Sequence, residues 1–190
     1  MGKKKIEKVS VCIGHGKDTA GRFDSGCTYT KRGKVYTEAA LMKPITGACV
    51  AYLRGSGVEV VTDYPKNKIN MIAQVSKANK KAARIHVAFH CDYKYSPSGT
   101  LPLYVSSKGR KLATLMNKYV MEEVGIKTRG VGMRTDLYEL NCTDMPAVIF
   151  ECGSIKKDLK KMRKKYDEYG KGAARGICEY LGVPFTGKKA

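Results

Sequence analysis

The stretch Val9-Ser10-Val11-Cys12-Ile13-Gly14-His15-Gly16 joins an apolar segment to a glycine turn that carries a histidine. The β-branched and apolar residues of 9–13 predict a buried strand, and the glycines beside His15 let the chain turn sharply. We therefore expect His15 at the end of a strand and outside the packed core. In α/β proteins, ligands gather beyond the carboxyl ends of the strands.

Similar apolar segments recur along the chain and alternate with segments of helical periodicity. The predicted strands are 8–13, 58–62, 85–91, 101–105 and 147–152. The predicted helices are 39–53 (with a kink or break at Pro44), 66–82, 112–120, 155–166 and 173–181. This alternation predicts one α/β domain over residues 1–190. It should hold a mostly parallel twisted sheet of about five or six strands, with helices on both faces.

The charge balance indicates an anionic partner. The chain has 36 Lys and Arg residues against 17 Asp and Glu residues, a formal net charge of +19. Such an excess favours nucleic acid, an acidic lipid surface or an acidic polymer without choosing among them. The 7 cysteines form no Cys-x-x-Cys pair, which favours reduced thiols over a disulfide framework.

The first residues do not predict a secretory signal. Met1–Lys5 is basic, but Glu7 and Lys8 follow too soon for an apolar targeting segment. No apolar run reaches the length of about 18 residues that a membrane helix needs. We expect synthesis in the cytoplasm without a signal peptide.

Two further chemically active side chains end predicted strands. His90 ends the strand at 85–91, and Glu151 follows the apolar run Ala147–Phe150. Burial would raise the pKa of Glu151 toward neutrality, as suits a group that must take and return a proton. His86 lies four residues before His90, but on a strand this spacing separates their Cα atoms by about 13 Å. We therefore choose His90 as a ligand and interpret His86 as a hydrogen-bonded sheet histidine.

The remaining candidates are weaker on sequence grounds alone. Glu38 follows Thr37 at the start of a predicted helix, where a carboxylate is favoured by the helix dipole. Asp18 lies three residues after His15 and is an alternative zinc ligand, although its surroundings predict a loop. Strand alternation places Cys91 opposite His90 and Cys152 opposite Glu151, so both thiols are expected in the core, as is Cys12.

A strongly basic segment follows Glu151. Of the 10 residues 156–165, 7 are Lys or Arg, with Leu159 and Met162 spaced as an inner face. The pattern predicts a basic amphipathic helix over 156–166, and with the overall charge it favours an electrostatic binding surface over a merely solvated face.

Several motifs, taken in order, resemble those of one enzyme family. They are Ile13-Gly14-His15-Gly16, Thr37-Glu38, Ala88-Phe89-His90-Cys91-Asp92 and Pro146-Ala147-Val148-Ile149-Phe150-Glu151-Cys152-Gly153. From about residue 8 to 183, the chain resembles the zinc-dependent N-acetylmuramoyl-L-alanine amidases of the AmiC/CwlV type, which include catalytic domains of phage endolysins. It departs from that family's usual pattern at Lys17, at Cys91-Asp92 and at Ser154, which bears on substrate subsites and leaves the metal-site residues in place.

The resemblance implies a site and a reaction. His15, Glu38 and His90 would hold Zn²⁺, and Glu151 would be the catalytic carboxylate. It is the resemblance that favours Glu38 over Asp18. The implied reaction cleaves the amide bond between N-acetylmuramic acid and L-alanine in peptidoglycan. The enzyme would act on the bacterial cell wall as an endolysin or autolysin. The predicted lack of a signal peptide fits release at lysis, with a cytosolic or spore-associated housekeeping amidase as the alternative. The excess of positive charge predicts that the basic face binds anionic wall polymers or membrane.

Two other functions agree with parts of the sequence. A zinc carboxypeptidase acting on wall peptides would use the same metal and general base. A non-enzymatic nucleic-acid-binding protein would explain the charge, but no recognised nucleic-acid motif is present and the four site residues would have no role. We therefore expect no specific nucleic-acid partner.

Overall fold

Apolar strands and amphipathic helices alternate along the chain in the computed structural model, which describes residues 6–190. The strands are β1 (Lys8–Ile13), β2 (Thr28–Lys31), β3 (Lys34–Thr37), β4 (Glu59–Val61), β5 (His86–Asp92), β6 (Leu101–Tyr104), β7 (Gly132–Met133) and β8 (Ala147–Ser154). The helices are α1 (Glu38–Gly55), α2 (Met71–Lys80), α3 (Ser107–Val124), α4 (Tyr138–Asn141), α5 (Leu159–Lys164) and α6 (Tyr166–Leu181). The basic segment Met1–Lys5 lies outside the described residues.

The central sheet has six strands in the order β4-β1-β5-β8-β6-β7. The pairs β1–β4, β1–β5, β5–β8 and β6–β7 are parallel, and only β6–β8 is antiparallel within this sheet. The predicted mostly parallel α/β sheet is confirmed. Because β1, β5 and β8 lie side by side and run the same way, the residues that follow their carboxyl ends share one edge.

The two faces of the sheet have different chemistry because side chains alternate along each strand. Val87, Phe89 and Cys91 of β5 belong to the large core that packs under α1, α3 and α6. His86 and His90 face the other side, where α2 and α4 cover the sheet. The polar side chains of β5 thus lie together on the face with less helical cover.

Helix α1 is continuous through Pro44, so the predicted local break does not occur. Proline lacks the N–H that would bond to the preceding turn. Residues on both sides of it, Met42 and Ile45, are fully buried against the core. This packing holds the helix together where one backbone hydrogen bond is missing.

Two helices are shorter than the sequence predicts. Asn70 caps α2 by accepting a hydrogen bond from the N–H of Ala73, so the helix begins there and not at 66. The helix predicted over 156–166 is confined to Leu159–Lys164. The buried carboxylate of Asp158 accepts hydrogen bonds from the N–H groups of Ser154 and Gly99, which fixes the preceding residues as a turn.

The hairpin β2–β3 was not predicted. Its strands are short and largely exposed, so they carry no apolar alternation to detect. Arg32 and Gly33 both have positive φ at the tip, the conformation of a tight two-residue hairpin turn. The hairpin matters because β3 ends at Thr37, directly before Glu38.

Candidate functional site

His15 and His90 are brought together by a glycine at the end of β1. The Gly14 N–H donates to the carbonyl of Phe89 on β5, which holds the turn against the neighbouring strand. A Cβ atom on Gly14 would lie 2.2 Å from ring atoms of His90. Only glycine lets the backbone pass this close to the imidazole. The two imidazole ring centroids are 5.0 Å apart.

Glu38 is the first residue of α1 and is buried, with 3% of its surface exposed. Its Oε1 accepts a hydrogen bond from the Cys91 N–H at 2.9 Å, and its Oε2 accepts one from the Cys27 N–H at 3.0 Å. Two backbone donors therefore fix the orientation of the carboxylate. Helix α1, which follows β3, sets its position.

The carboxylate of Glu38 lies between the two histidines. Its Oε1 is 3.0 Å from His90 Nδ1, and its Oε2 is 3.4 Å from His15 Nε2. One ligand atom from each of the three residues lies within 4.8 Å of the others. A tetrahedral zinc ion with bonds of about 2.0–2.1 Å separates its ligands by about 3.4 Å, so two nitrogens and an oxygen at this spacing fit zinc.

The electrostatics of the cluster keep Glu38 ionised. Burial on its own would raise the pKa of Glu38, but His90 and His15 outweigh that effect and lower the pKa to about 2. Burial on its own would lower the pKa of His90, yet contact with Glu139 and Glu38 raises it well above its ordinary value. Glu38 is therefore ionised and paired with the imidazole of His90.

Asp24, which the sequence did not single out, orients His15. Its Oδ2 lies 2.7 Å from His15 Nδ1 and leaves Nε2 facing Glu38. Asp18, the alternative ligand, instead accepts hydrogen bonds from the backbone N–H and Nε of Arg22. The loop after Gly16 therefore directs Asp18 to an arginine, whereas the later Asp24 reaches the imidazole.

Glu151 is the register partner of His90 across β5 and β8. Its Oε2 atom is buried and has no hydrogen-bond partner. Burial raises the pKa of Glu151 to about 8, the direction that the sequence predicts. His90 and Glu151 line one cleft of about 310 Å³, together with Arg134 and Tyr138. The structure thus brings all four predicted side chains to the same edge of the sheet.

A family model of N-acetylmuramoyl-L-alanine amidases matches residues 9–181, which is most of the chain and includes all four of these side chains. The chain belongs to the N-acetylmuramoyl-L-alanine amidase family. Membership assigns it to a class of enzymes that hydrolyse a C–N amide bond.

Solved amidase structures share this fold. The catalytic domain of CwlV from Bacillus (Paenibacillus) polymyxa var. colistinus is 24% identical, with a TM-score of 0.83 over 94% of this chain and 100% of that one. AmiC2 of Nostoc punctiforme is also 24% identical, with a TM-score of 0.80 over 93% of this chain and 97% of that one. The likeness covers the whole sheet and its flanking helices.

A curated relative matches part of this chain. An uncharacterized 38.4 kDa protein of Clostridium perfringens is 39% identical over 116 residues, which are 55% of this chain and 33% of the relative. The chain thus matches about one third of that protein's length.

Glu139 is a second residue of the site that sequence reasoning missed. It lies on the short helix α4 and is 3% exposed. Its Oε2 is 3.4 Å from His90 Nε2, and its Oε1 is 3.7 Å from His86 Nε2. The available signal was an acid set between two apolar residues, Leu137 and Leu140. His86 itself is buried, with Nδ1 3.0 Å from Ser10 Oγ, as expected of a hydrogen-bonded sheet histidine.

The cysteines of the amidase are all free. Cys91 and Cys152 point into the large core, on the face opposite His90 and Glu151, as alternation predicts. The Sγ of Cys27 lies 4.0 Å from Cys91 Sγ, beside Glu38. These two thiols and Glu38 form a second group of metal-compatible donors, sharing its carboxylate with the histidine cluster.

Proposed function

We propose that this protein hydrolyses the amide bond between N-acetylmuramic acid and L-alanine in peptidoglycan, with Zn²⁺ held by His15, Glu38 and His90. One observation carries the proposal: three ligand atoms lie within 4.8 Å of one another beside a buried carboxylate oxygen of Glu151 that has no partner. A binding site for one metal ion next to an unpaired general base is the arrangement that hydrolysis of an unreactive amide needs.

The donor set agrees with zinc chemistry. Three protein ligands of nitrogen and oxygen type are common in catalytic zinc sites. When bound, Zn²⁺ supplies Lewis-acid polarisation of the substrate carbonyl and lowers the pKa of water. Asp24 accepts the Nδ1–H of His15 and so presents Nε2 to the cluster. The backbone donors of Cys27 and Cys91 hold Glu38 in its place between the histidines.

Glu151 moves the proton. Its carboxylate would take a proton from the attacking water and then donate it to the L-alanine nitrogen as the amide bond breaks. A carboxylate whose pKa is raised to about 8 is a stronger base toward water than an ordinary one, and near neutral pH it holds the proton until the leaving amine takes it. The cleft that Glu151 shares with His90 is where the scissile amide would bind.

We also propose the setting in which this chemistry takes place. The amidase domain would span residues 1–190, and the protein would act on the bacterial cell wall, released at lysis as a phage endolysin is. No helix among residues 6–190 has both the length and the apolar character to cross a membrane.

A basic groove supports the proposed binding of anionic wall polymers. Cations of the β2–β3 hairpin and of α5 line a cavity of about 440 Å³. They are Lys31, Arg32, Lys34, Lys160, Arg163 and Lys164. Within the described part of the chain, none of them forms an ion pair. Converging cationic side chains without carboxylate partners favour a polyanion as the binding partner. An anionic membrane surface is the alternative partner.

Mass spectrometry of purified cell walls digested by the protein tests the proposed bond. The expected products are muramic acid with a free lactyl carboxyl group and stem peptides with a free N-terminal L-alanine. Release of single amino acids would instead indicate a carboxypeptidase. Unchanged walls, together with a protein that contains no zinc and binds a DNA column, would favour the nucleic-acid-binding alternative.

A further inference from the structure

The two nitrogens of the His90 ring face two different buried carboxylates. Nδ1 is 3.0 Å from Glu38 Oε1, in the cluster that fits zinc. Nε2 is 3.4 Å from Glu139 Oε2, on the opposite side of the ring. Glu139 is not one of the residues whose donor atoms converge on the cluster. Glu139 therefore contacts the His90 ring from outside the proposed metal site, whereas Glu38 contacts it from within the site.

The surroundings of Glu139 leave it few partners. Among residues 6–190, its ion-pair partners are the imidazoles of His86 and His90, and no lysine or arginine neutralises it. Neither Nε2 makes a hydrogen bond to it in the structure, but they lie 3.7 and 3.4 Å from its oxygens and have no other partner among the described residues. A buried carboxylate only accepts hydrogen bonds, so it favours an N–H and not a lone pair on each nitrogen that faces it. His86 can carry its N–H on Nε2 because its Nδ1 lies 3.0 Å from the hydroxyl of Ser10, which can donate.

The same requirement fixes the tautomer of His90 when zinc is bound. A neutral imidazole carries one N–H and one lone pair, and the position of the proton is set by the partner of the other nitrogen. Without a metal, Nδ1 faces the carboxylate of Glu38 at 3.0 Å and would also carry a proton. With Zn²⁺ held by Nδ1 and Glu38, the remaining proton is on Nε2 and is directed at Glu139. With the proton on Nδ1, two acceptors would face each other across Nε2 and Glu139.

We propose that Glu139 is a positioning residue that keeps the proton of His90 on Nε2 and so presents Nδ1 to the metal. The inference rests on the proposed zinc site and adds an outer partner to it. Metal-binding histidines generally donate their second N–H to a carboxylate, carbonyl or water, and loss of that partner costs about 10–100-fold in metal affinity or activity. The polar series Ser10–His86–Glu139–His90 would be that outer structure here.

Nitrogen-15 NMR of the zinc-loaded protein tests the tautomer without any substitution. Long-range correlations between ring protons and ring nitrogens identify which nitrogen carries the proton. We expect His90 with the proton on Nε2 and the metal on Nδ1. A metal on Nε2 would overturn the inference while leaving the zinc site intact.

Zinc affinity, measured by competition with a chelator, gives a second readout. Glu139→Gln places an N–H donor opposite one of the two imidazole N–H groups, so we expect affinity to fall about 10–100-fold. Glu151→Gln is the matched control, a partly buried acid beside the same histidine, and should bind zinc as the parent does. Thermal unfolding of the metal-free variants reports whether each one folds.

The outcomes separate this inference from the proposed function. A Glu139→Gln variant that folds and binds zinc like the parent would overturn the role of Glu139 alone. A parent protein that binds no zinc would overturn the metal site itself, and with it this inference. If Glu139→Gln fails to fold, the NMR measurement of the His90 tautomer in the zinc-loaded parent protein still tests the inference.

Discussion

His90 and Glu151 are direct register partners on the adjacent parallel strands β5 and β8. Paired residues on parallel strands point to the same face of the sheet, so the imidazole and the carboxylate enter one cleft. Sheet register, and not a flexible loop, therefore sets the separation between a proposed metal ligand and the proposed general base. Such a rigid arrangement suits proton transfer, which requires groups held within hydrogen-bond reach.

Glu151→Gln should abolish most of the lytic activity and leave the metal in place. The amide keeps the shape of the carboxyl group but cannot take a proton, so we expect a loss of about 10²–10⁴-fold. Clearing of a cell-wall suspension measures activity, and metal analysis measures zinc. Glu122→Gln, on an exposed carboxylate of α3 that pairs with Arg175, should behave as the parent does. Near-parental clearing by Glu151→Gln would contradict the assigned role.

The stability of the metal-free protein should depend on pH through Glu151. Its pKa rises from 4.5 to about 8 on folding because of burial. Its stabilising contribution is therefore fully present below about pH 4.5 and is lost as the pH rises to about 8, since only the unfolded state has released the proton. Glu151→Gln lacks this loss, so its stability relative to the parent should increase across that range. Denaturant unfolding at several pH values measures the difference, and a constant difference would contradict the shift.

His15→Ala should lose zinc more completely than Asp24→Asn. The first change removes a proposed ligand, whereas the second weakens the 2.7 Å contact that orients the ring. Loss of an outer partner typically costs about 10–100-fold in metal affinity, and loss of a ligand should cost more. Chelator competition ranks the two variants. Equal affinities for His15→Ala and the parent would remove His15 from the site.

Gly14→Ala should disturb the metal site, although it adds only a methyl group. That methyl would lie 2.2 Å from the His90 ring, so the imidazole must move away from Glu38. We expect weaker zinc binding and lower activity. Gly33→Ala is the matched control, because Gly33 lies at the hairpin tip with nothing within 4 Å of the added methyl. Its positive φ costs roughly 1–3 kcal/mol of stability but should leave zinc affinity unchanged.

Binding to anionic cell-wall polymers should depend on salt through the basic groove. Replacing Lys160, Arg163 and Lys164 by glutamine should weaken binding at low salt and flatten its dependence on salt. Replacing Lys108, Arg110 and Lys111 of α3 removes the same charge from another exposed surface and should have less effect. Pull-down with purified walls, and with anionic vesicles to test the membrane alternative, measures both. Equal effects of the two triple variants would mean that overall charge, and not the groove, drives binding.

The sequence predicted the sheet well because its strands are buried on both faces. Predominantly apolar runs such as Val9–Ile13 and Ala147–Phe150 have few other stable arrangements, and strands that alternate with helices imply parallel pairing. The β2–β3 hairpin and the length of α5 could not be predicted in the same way. The hairpin is largely exposed and polar, and α5 begins late because of contacts that Asp158 makes with residues far along the chain.

By itself, the sequence determined the fold class and placed His15, His90 and Glu151 at strand ends, because a glycine turn or an isolated polar residue after an apolar run has a local signature. Only the tertiary structure decided how Glu38, Asp24 and Glu139 relate to them. Glu38 looks like an ordinary first-turn carboxylate, and its place between two histidines comes from the hairpin that precedes α1 and from backbone donors on other segments. The contacts of Glu38 with His90 and Cys27 join residues 52 and 11 positions apart. At such separations sequence periodicity carries no information.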